Sequence, residues 1–161
     1  MSVQLKLDFT AEPCYQVSEI DVIYRSKFDV RDRPKVITSK DAYDIFLKTW
    51  DMDKIELLEQ FKVLYLNRGN YVLALFQMSV GGITGTVADP RIGMVAALKI
   101  NACSMILAHN HPSSALKPSR ADEDLTRKFK EGGKMLDIQV LDSMIITKHG
   151  YYSMADEGLL Y

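Results

Sequence analysis

Ala108-His109-Asn110-His111-Pro112-Ser113-Ser114-Ala115-Leu116-Lys117-Pro118-Ser119-Arg120-Ala121-Asp122 is the stretch around which the whole chain can be read. Two of the 3 histidines in the sequence lie in it, one residue apart. They follow the apolar run Cys103 to Ala108, which reads as a buried strand, and residues two apart on a strand share a face. Both imidazoles therefore leave the chain on one side. Asn110, Pro112 and Ser113 end the strand, which sets the pair at its C-terminal tip, where open α/β sheets tend to hold ligands. Further on, Ser119 is an N-cap for a helix beginning at Arg120, with Asp122 three residues after the cap. A carboxylate in that first turn can fold back toward the histidines. Two neutral imidazoles and one carboxylate suit Zn²⁺ and leave a fourth position for water. Ser-x-x-Asp is equally a capping box that needs no metal, and a histidine at a strand end can be an ordinary turn residue.

Working outward, helix and strand signals alternate. Upstream, Asp89-Pro90 marks a helix start whose apolar face is Met94, Ala97 and Leu98, leading directly into the central strand. Before it, Phe61 to Leu66 and Tyr71 to Met78 read as a hairpin turned at Asn67-Arg68-Gly69-Asn70, and Ile83 to Val87 as a further strand. Thr38 and Asp41 open a helix through Ala42, Ile45, Phe46 and Trp50, with Trp50 expected in the core. Asp53 and Glu56 repeat the device, predicting a second short helix closed by Glu59. Ile20, Val22 and Tyr24 alternate as a strand, and Arg25 to Pro34 is a charged, solvated loop. Downstream, the helix from Arg120 is expected to stop at Gly132-Gly133. Ile138, Val140 and Met144 to Thr147 form a strand pair or one bent strand. Lys148-His149-Gly150 is a turn with a surface histidine, and Tyr151-Tyr152 begins a last short strand. The pattern is α/β, with a mixed central sheet flanked by helices.

At 161 residues and 47% hydrophobic, the chain is expected to be one globular domain over residues 18–161, preceded by an arm of uncertain order from Met1 to Val17. The formal net charge of −1 supplies no global field for nucleic acid. No apolar run is long enough for a membrane span and no signal peptide is visible. Cys14 and Cys103 show no metal or redox spacing, so a reduced, cytoplasmic protein is expected, with Cys103 a small core residue.

The spacing His109-x-His111, seven residues, Ser119, two residues, Asp122 resembles the JAMM (JAB1/MPN/Mov34) metalloprotease motif, and the fuller string His-Asn-His-Pro-Ser with Pro-Ser-x-x-Asp resembles its bacterial RadC-like branch. The likeness runs from Glu59 to Tyr161 and includes Phe61 to Asn67, Gly81 to Val87, Asp89-Pro90-Arg91 and Leu141-Asp142. It implies a JAB1/MPN fold like that of the cytidine deaminases, a zinc held by His109, His111 and Asp122, and an upstream glutamate acting as base. Glu59, just before Phe61, occupies the matching position, and Glu56 is the substitute. Two positions depart from the branch: Ser114 stands where glycine is usual, and Ser143 where histidine is usual. A glycine at the first would supply a positive φ that serine reaches at a cost.

The resemblance implies hydrolysis of a peptide or isopeptide amide, with Glu59 moving the proton and the Ser119 hydroxyl supporting the oxyanion. The historical naming of RadC-like proteins suggests an alternative, a DNA-repair-associated protein, although 161 residues leave no room for the helix-hairpin-helix domain of longer relatives. A third possibility is a metal-binding domain that recognises a partner without turnover. The cysteine pair of the zinc deaminases is missing, which argues against nucleobase deamination.

Overall fold

The computed structural model describes residues 27–81 and 88–160. The expected N-terminal arm, the strand at Ile20 to Tyr24 and the run Ile83 to Val87 lie outside the described residues. Among those described, a single 3₁₀ turn at Val30–Asp32 in the charged N-terminal stretch is followed in chain order by α1 (Ser39–Thr49), β1 (Gln60–Leu66), β2 (Val72–Val80), α2 (Pro90–Lys99), β3 (Ser104–Asn110), α3 (Arg120–Met135), β4 (Gln139–Ile146) and β5 (Tyr151–Ser153). The five strands form one sheet in the order β2-β1-β3-β4-β5. Only β3 and β4 pair in parallel; the other neighbours are antiparallel, so the sheet is mixed.

Side-chain alternation divides the core into two layers. Leu64, Leu66, Ile106, Ala108 and Met144 pack on one face against Ala42, Tyr43 and Phe46 of α1. Val63, Tyr65, Met105 and Leu107 pack on the other against Met94 and Ala97 of α2 and Phe129 of α3. Strands β1 and β3 are buried along their whole length because both faces are covered. Trp50 is in the core, as its helical spacing indicates.

The caps read from sequence form as expected. Thr38 with Asp41 and Ser119 with Asp122 make complete capping boxes, and Asp89 caps α2 with Pro90 in its first turn. Three expectations need correction. Residues 53–58 are not a helix but a run of turns, in which Asp51 takes the Asp53 N–H and the Lys54 ammonium locally. Ile55 is buried there while Leu57 is exposed, so the segment has too little apolar face to sustain a helix. Helix α3 does not stop at Gly132-Gly133 but continues to Met135. The left-handed position that ends it is Asp137, at φ 54°, and the Ile138 N–H returns to the Gly133 carbonyl at 2.9 Å. Cys103 is an exposed free thiol rather than a core residue, because it stands one position before β3 at the end of the sheet. The strand Gln139–Ile146 is single, with a bulge at Leu141 where the pairing steps from Val140 to Asp142.

Candidate metal centre

Strand β3 runs two residues farther than the apolar pattern indicates, so His109 lies within it and His111 immediately beyond. The ring of His109 is almost wholly buried and lies parallel to Phe61, its partner across the β1–β3 ladder, with centroids 6.3 Å apart. Phe61 in turn stacks on Phe129 of α3, so an aromatic layer closes the inner side of the site. The Nε2 atoms of the two histidines face each other at 2.9 Å. His111 Nδ1 lies 2.8 Å from the Ala115 carbonyl, its natural acceptor, which leaves Nε2 as the lone-pair nitrogen.

The loop between β3 and α3 returns the chain through a turn closed by Ser114 N–H on the His111 carbonyl, and Ser114 takes φ 60°. This is the left-handed conformation that glycine enters at least cost. At the far end of the loop Asp122 does two things at once. Its Oδ2 accepts from the Ser119 N–H and hydroxyl, both at 2.7 Å, while Oδ1 sits 3.3 Å from His109 Nε2. The capping box therefore does not compete with the approach to the histidines: it aims the carboxylate at them.

Burial alone would push the Asp122 carboxyl up. The contacts with His109, His111 and Ser119 together outweigh it and hold the group well below the usual carboxylate range. His111 is shifted upward, chiefly by Asp122, against the opposing effect of burial, with a smaller electrostatic contribution from Glu59. The nitrogens and one carboxylate oxygen of His109, His111 and Asp122 all lie within 4.8 Å of one another, and among the described residues they are the group able to hold a metal ion. Tetrahedral zinc with bonds of about 2.0–2.1 Å keeps its ligand atoms roughly 3.3 Å apart, so the donor set and its spacing fit such an ion.

The two candidate bases differ in their surroundings. Glu56 is exposed and paired with Lys148 at 2.6 Å. Glu59 is half-buried just before β1. Extending the register Phe61↔His109 by two residues sets it opposite His111, on the same face of the sheet. The Ser119 hydroxyl is exposed and engaged with Asp122. Asn110, which sequence reasoning treats only as a strand terminator, is fully buried and hydrogen-bonded three ways. Its place between two same-face residues at a strand tip is the one sequence signal that it must face the opposite layer. His149 is exposed, in agreement with its turn.

A mixed sheet with helices on both faces, carrying two histidines at a strand tip and an aspartate from the next helix, is the architecture of a JAB-type domain. The family model described as "RadC-like JAB domain" matches residues 36–159, and the chain belongs to that family. It is 44% identical over 134 residues to a UPF0758 protein of Flavobacterium johnsoniae, covering 81% of this chain and 56% of that one. UPF0758 proteins of Polaromonas sp. and Syntrophomonas wolfei are 45% and 40% identical over 102 residues, 63% of this chain and 46% and 43% of theirs. The chain thus spans about half the length of the curated relatives it matches. Among the described residues no helix is long and apolar enough to cross a membrane.

Proposed function

We propose that this RadC-like domain is a zinc-dependent hydrolase that cleaves a peptide or isopeptide amide bond. The observation that carries the proposal is the convergence of His109, His111 and Asp122; Glu59, which contributes electrostatically at His111, is the candidate base. When bound, zinc supplies Lewis acidity and makes water a nucleophile near neutral pH. His109 Nε2, His111 Nε2 and Asp122 Oδ1 would hold it. Phe61 and Phe129 keep solvent from the inner side of His109. The Glu59 carboxylate takes the proton of the attacking water and delivers it to the leaving amine. The Ser119 hydroxyl orients Asp122 and, on releasing that bond, donates to the oxygen of the attacked carbonyl. A free thiol at Cys103 suits a reducing, cytoplasmic setting.

Family membership supports the second reading, a RadC-like protein acting beside DNA, more directly than the first, because the match is to the RadC-like JAB domain and the names of the relatives state no hydrolase activity. Strong duplex binding draws on several phosphate contacts, and the net charge of −1 offers no field to drive them. The test combines metal analysis of purified protein with turnover of fluorogenic peptide and isopeptide amides. His109→Ala should lose its zinc, and full retention would contradict the ligand assignment. Glu59→Gln should keep zinc and lose turnover by a factor of about 10² or more; undiminished turnover would remove Glu59 from the reaction. Zinc without cleavage would leave a metal-binding recognition domain. Salt-dependent binding of a DNA duplex would favour the second reading.

A further inference from the structure

Asn110 lies in β3 between the two histidines, but its side chain emerges on the opposite face, under the turn segment that precedes β1. Its amide is fully used. Oδ1 accepts the Gln60 N–H at 2.7 Å, and Nδ2 donates to the Ile55 and Leu58 carbonyls at 2.6 and 2.8 Å. The Leu58 carbonyl belongs to the peptide plane before Glu59, and the Gln60 N–H to the plane after it. One side chain therefore grips both planes flanking the Glu59 Cα, and fixing two successive planes fixes the φ and ψ between them. Glu59's own carbonyl accepts from the Gly81 N–H at 2.8 Å.

No helix or strand does this work for residues 51–59. Their internal bonds are short-range turns from Asp51 and Lys54, which leave the Ile55 and Leu58 carbonyls to the asparagine. Asparagine is also the side chain that the arrangement demands, because only an amide of this length offers two donors and an acceptor together. An aspartate would keep the bond to Gln60 and turn a negative charge on two carbonyl oxygens. We infer that Asn110 is a positioning residue for Glu59, tying the base of the proposed hydrolase to the strand that carries His109 and leads directly into His111. Base and metal ligands then move as one unit, each held from a different face of β3. The inference rests on the proposed function, and the two fail in different ways.

The purified chain loaded with Co²⁺ provides the test, since the visible absorption of Co²⁺ reports the number and geometry of its ligands. Glu59→Gln should keep Co²⁺ and shift the spectrum by altering the solvent position. Asn110→Ala should reproduce that shift with unchanged Co²⁺ content, and the double variant should look like Glu59→Gln alone. A change of fold alone would not give that non-additivity. Asn110→Asp, nearly identical in shape, decides the matter if the alanine variant does not fold. Wild-type spectra in both Asn110 variants, additive shifts in the double variant, or loss of Co²⁺ from both would overturn the positioning role and leave the hydrolase reading standing. A wild-type chain that takes up no Co²⁺ would overturn both, whereas a Glu59→Gln spectrum identical to wild type would remove Glu59 as the base and the positioning role with it.

Discussion

Ser114 holds φ at 60° in the loop that links the two parts of the metal group. A side chain in the left-handed region costs roughly 1–2 kcal/mol, whereas glycine enters it freely but gives up more chain entropy on folding. The first effect is the larger, so Ser114→Gly should stabilise the protein by about 1 kcal/mol or less. A rise in the urea midpoint at unchanged slope checks this, and a fall would show that the exposed hydroxyl does something the backbone does not explain. At this scale the sequence was informative wherever a residue's task is local. The serine at a glycine position, the cap at Ser119 and the shared face of His109 and His111 could all be read without a fold. Asn110 could not, because its three partners lie 50 to 55 residues away and none carries a distinctive side-chain signature.

Helix α3 delivers Asp122 at one end and meets β4 at the other, and its adjacent glycines have opposite roles. A Cβ at Gly133 would stand 2.3 Å from the Ile138 carbonyl oxygen, a backbone atom at the entry to β4 that cannot step aside. At Gly132 the nearest atom would be the Met94 Cε at 3.4 Å, an ordinary contact with a flexible side chain. Gly132→Ala should therefore stabilise by up to about 1 kcal/mol through helix propensity, while Gly133→Ala should cost about 1–3 kcal/mol through overpacking. Thermal unfolding of the two variants checks the contrast, and equal effects would refute the close approach at Gly133. The same pair explains why the sequence predicts the helix end too early. A glycine chosen for left-handed backbone and one chosen for proximity look alike in a string of letters, and only the returning β4 distinguishes them. The false helix at residues 53–58 has a similar origin, since an Asx turn and an N-cap use the same residues.

Among the described residues, local signals indicate the strands and helices in their observed order, apart from the false helix at residues 53–58, together with the caps. The strand order and the single parallel pair followed only from how the sheet is assembled. The metal group joins what the sheet separates: His109 lies in β3, His111 immediately beyond its end and Asp122 in α3, so an ion bound there would tie a helix to the central strand. Such an ion stabilises the folded state by mass action, by about 4 kcal/mol when its free concentration is 1,000-fold above Kd. For a domain of this size that corresponds to roughly 10 °C in Tm.

The pH dependence of that shift has a definite sign. In the metal-free protein the depressed Asp122 carboxyl contributes stability above the unfolded carboxylate range, and this contribution is lost as pH falls through the native value. His111, raised chiefly by Asp122, contributes stability that is complete below the ordinary imidazole pKa of about 6.5 and is lost as pH rises through its elevated native value. Between mildly acidic and mildly alkaline pH the metal-free protein therefore loses the His111 contribution, with Asp122 ionised throughout. Zinc acts in the opposite direction, because it needs neutral imidazoles and protons compete for the same nitrogens. The zinc-induced rise in Tm should consequently be small near pH 5.5 and much larger near pH 8, as measured by thermal unfolding with zinc and with a chelator. His109→Ala should abolish the zinc effect at both pH values while leaving Asp122 and His111 paired. A zinc effect that stayed flat or shrank as pH rose would mean that the imidazoles are not the groups receiving the ion.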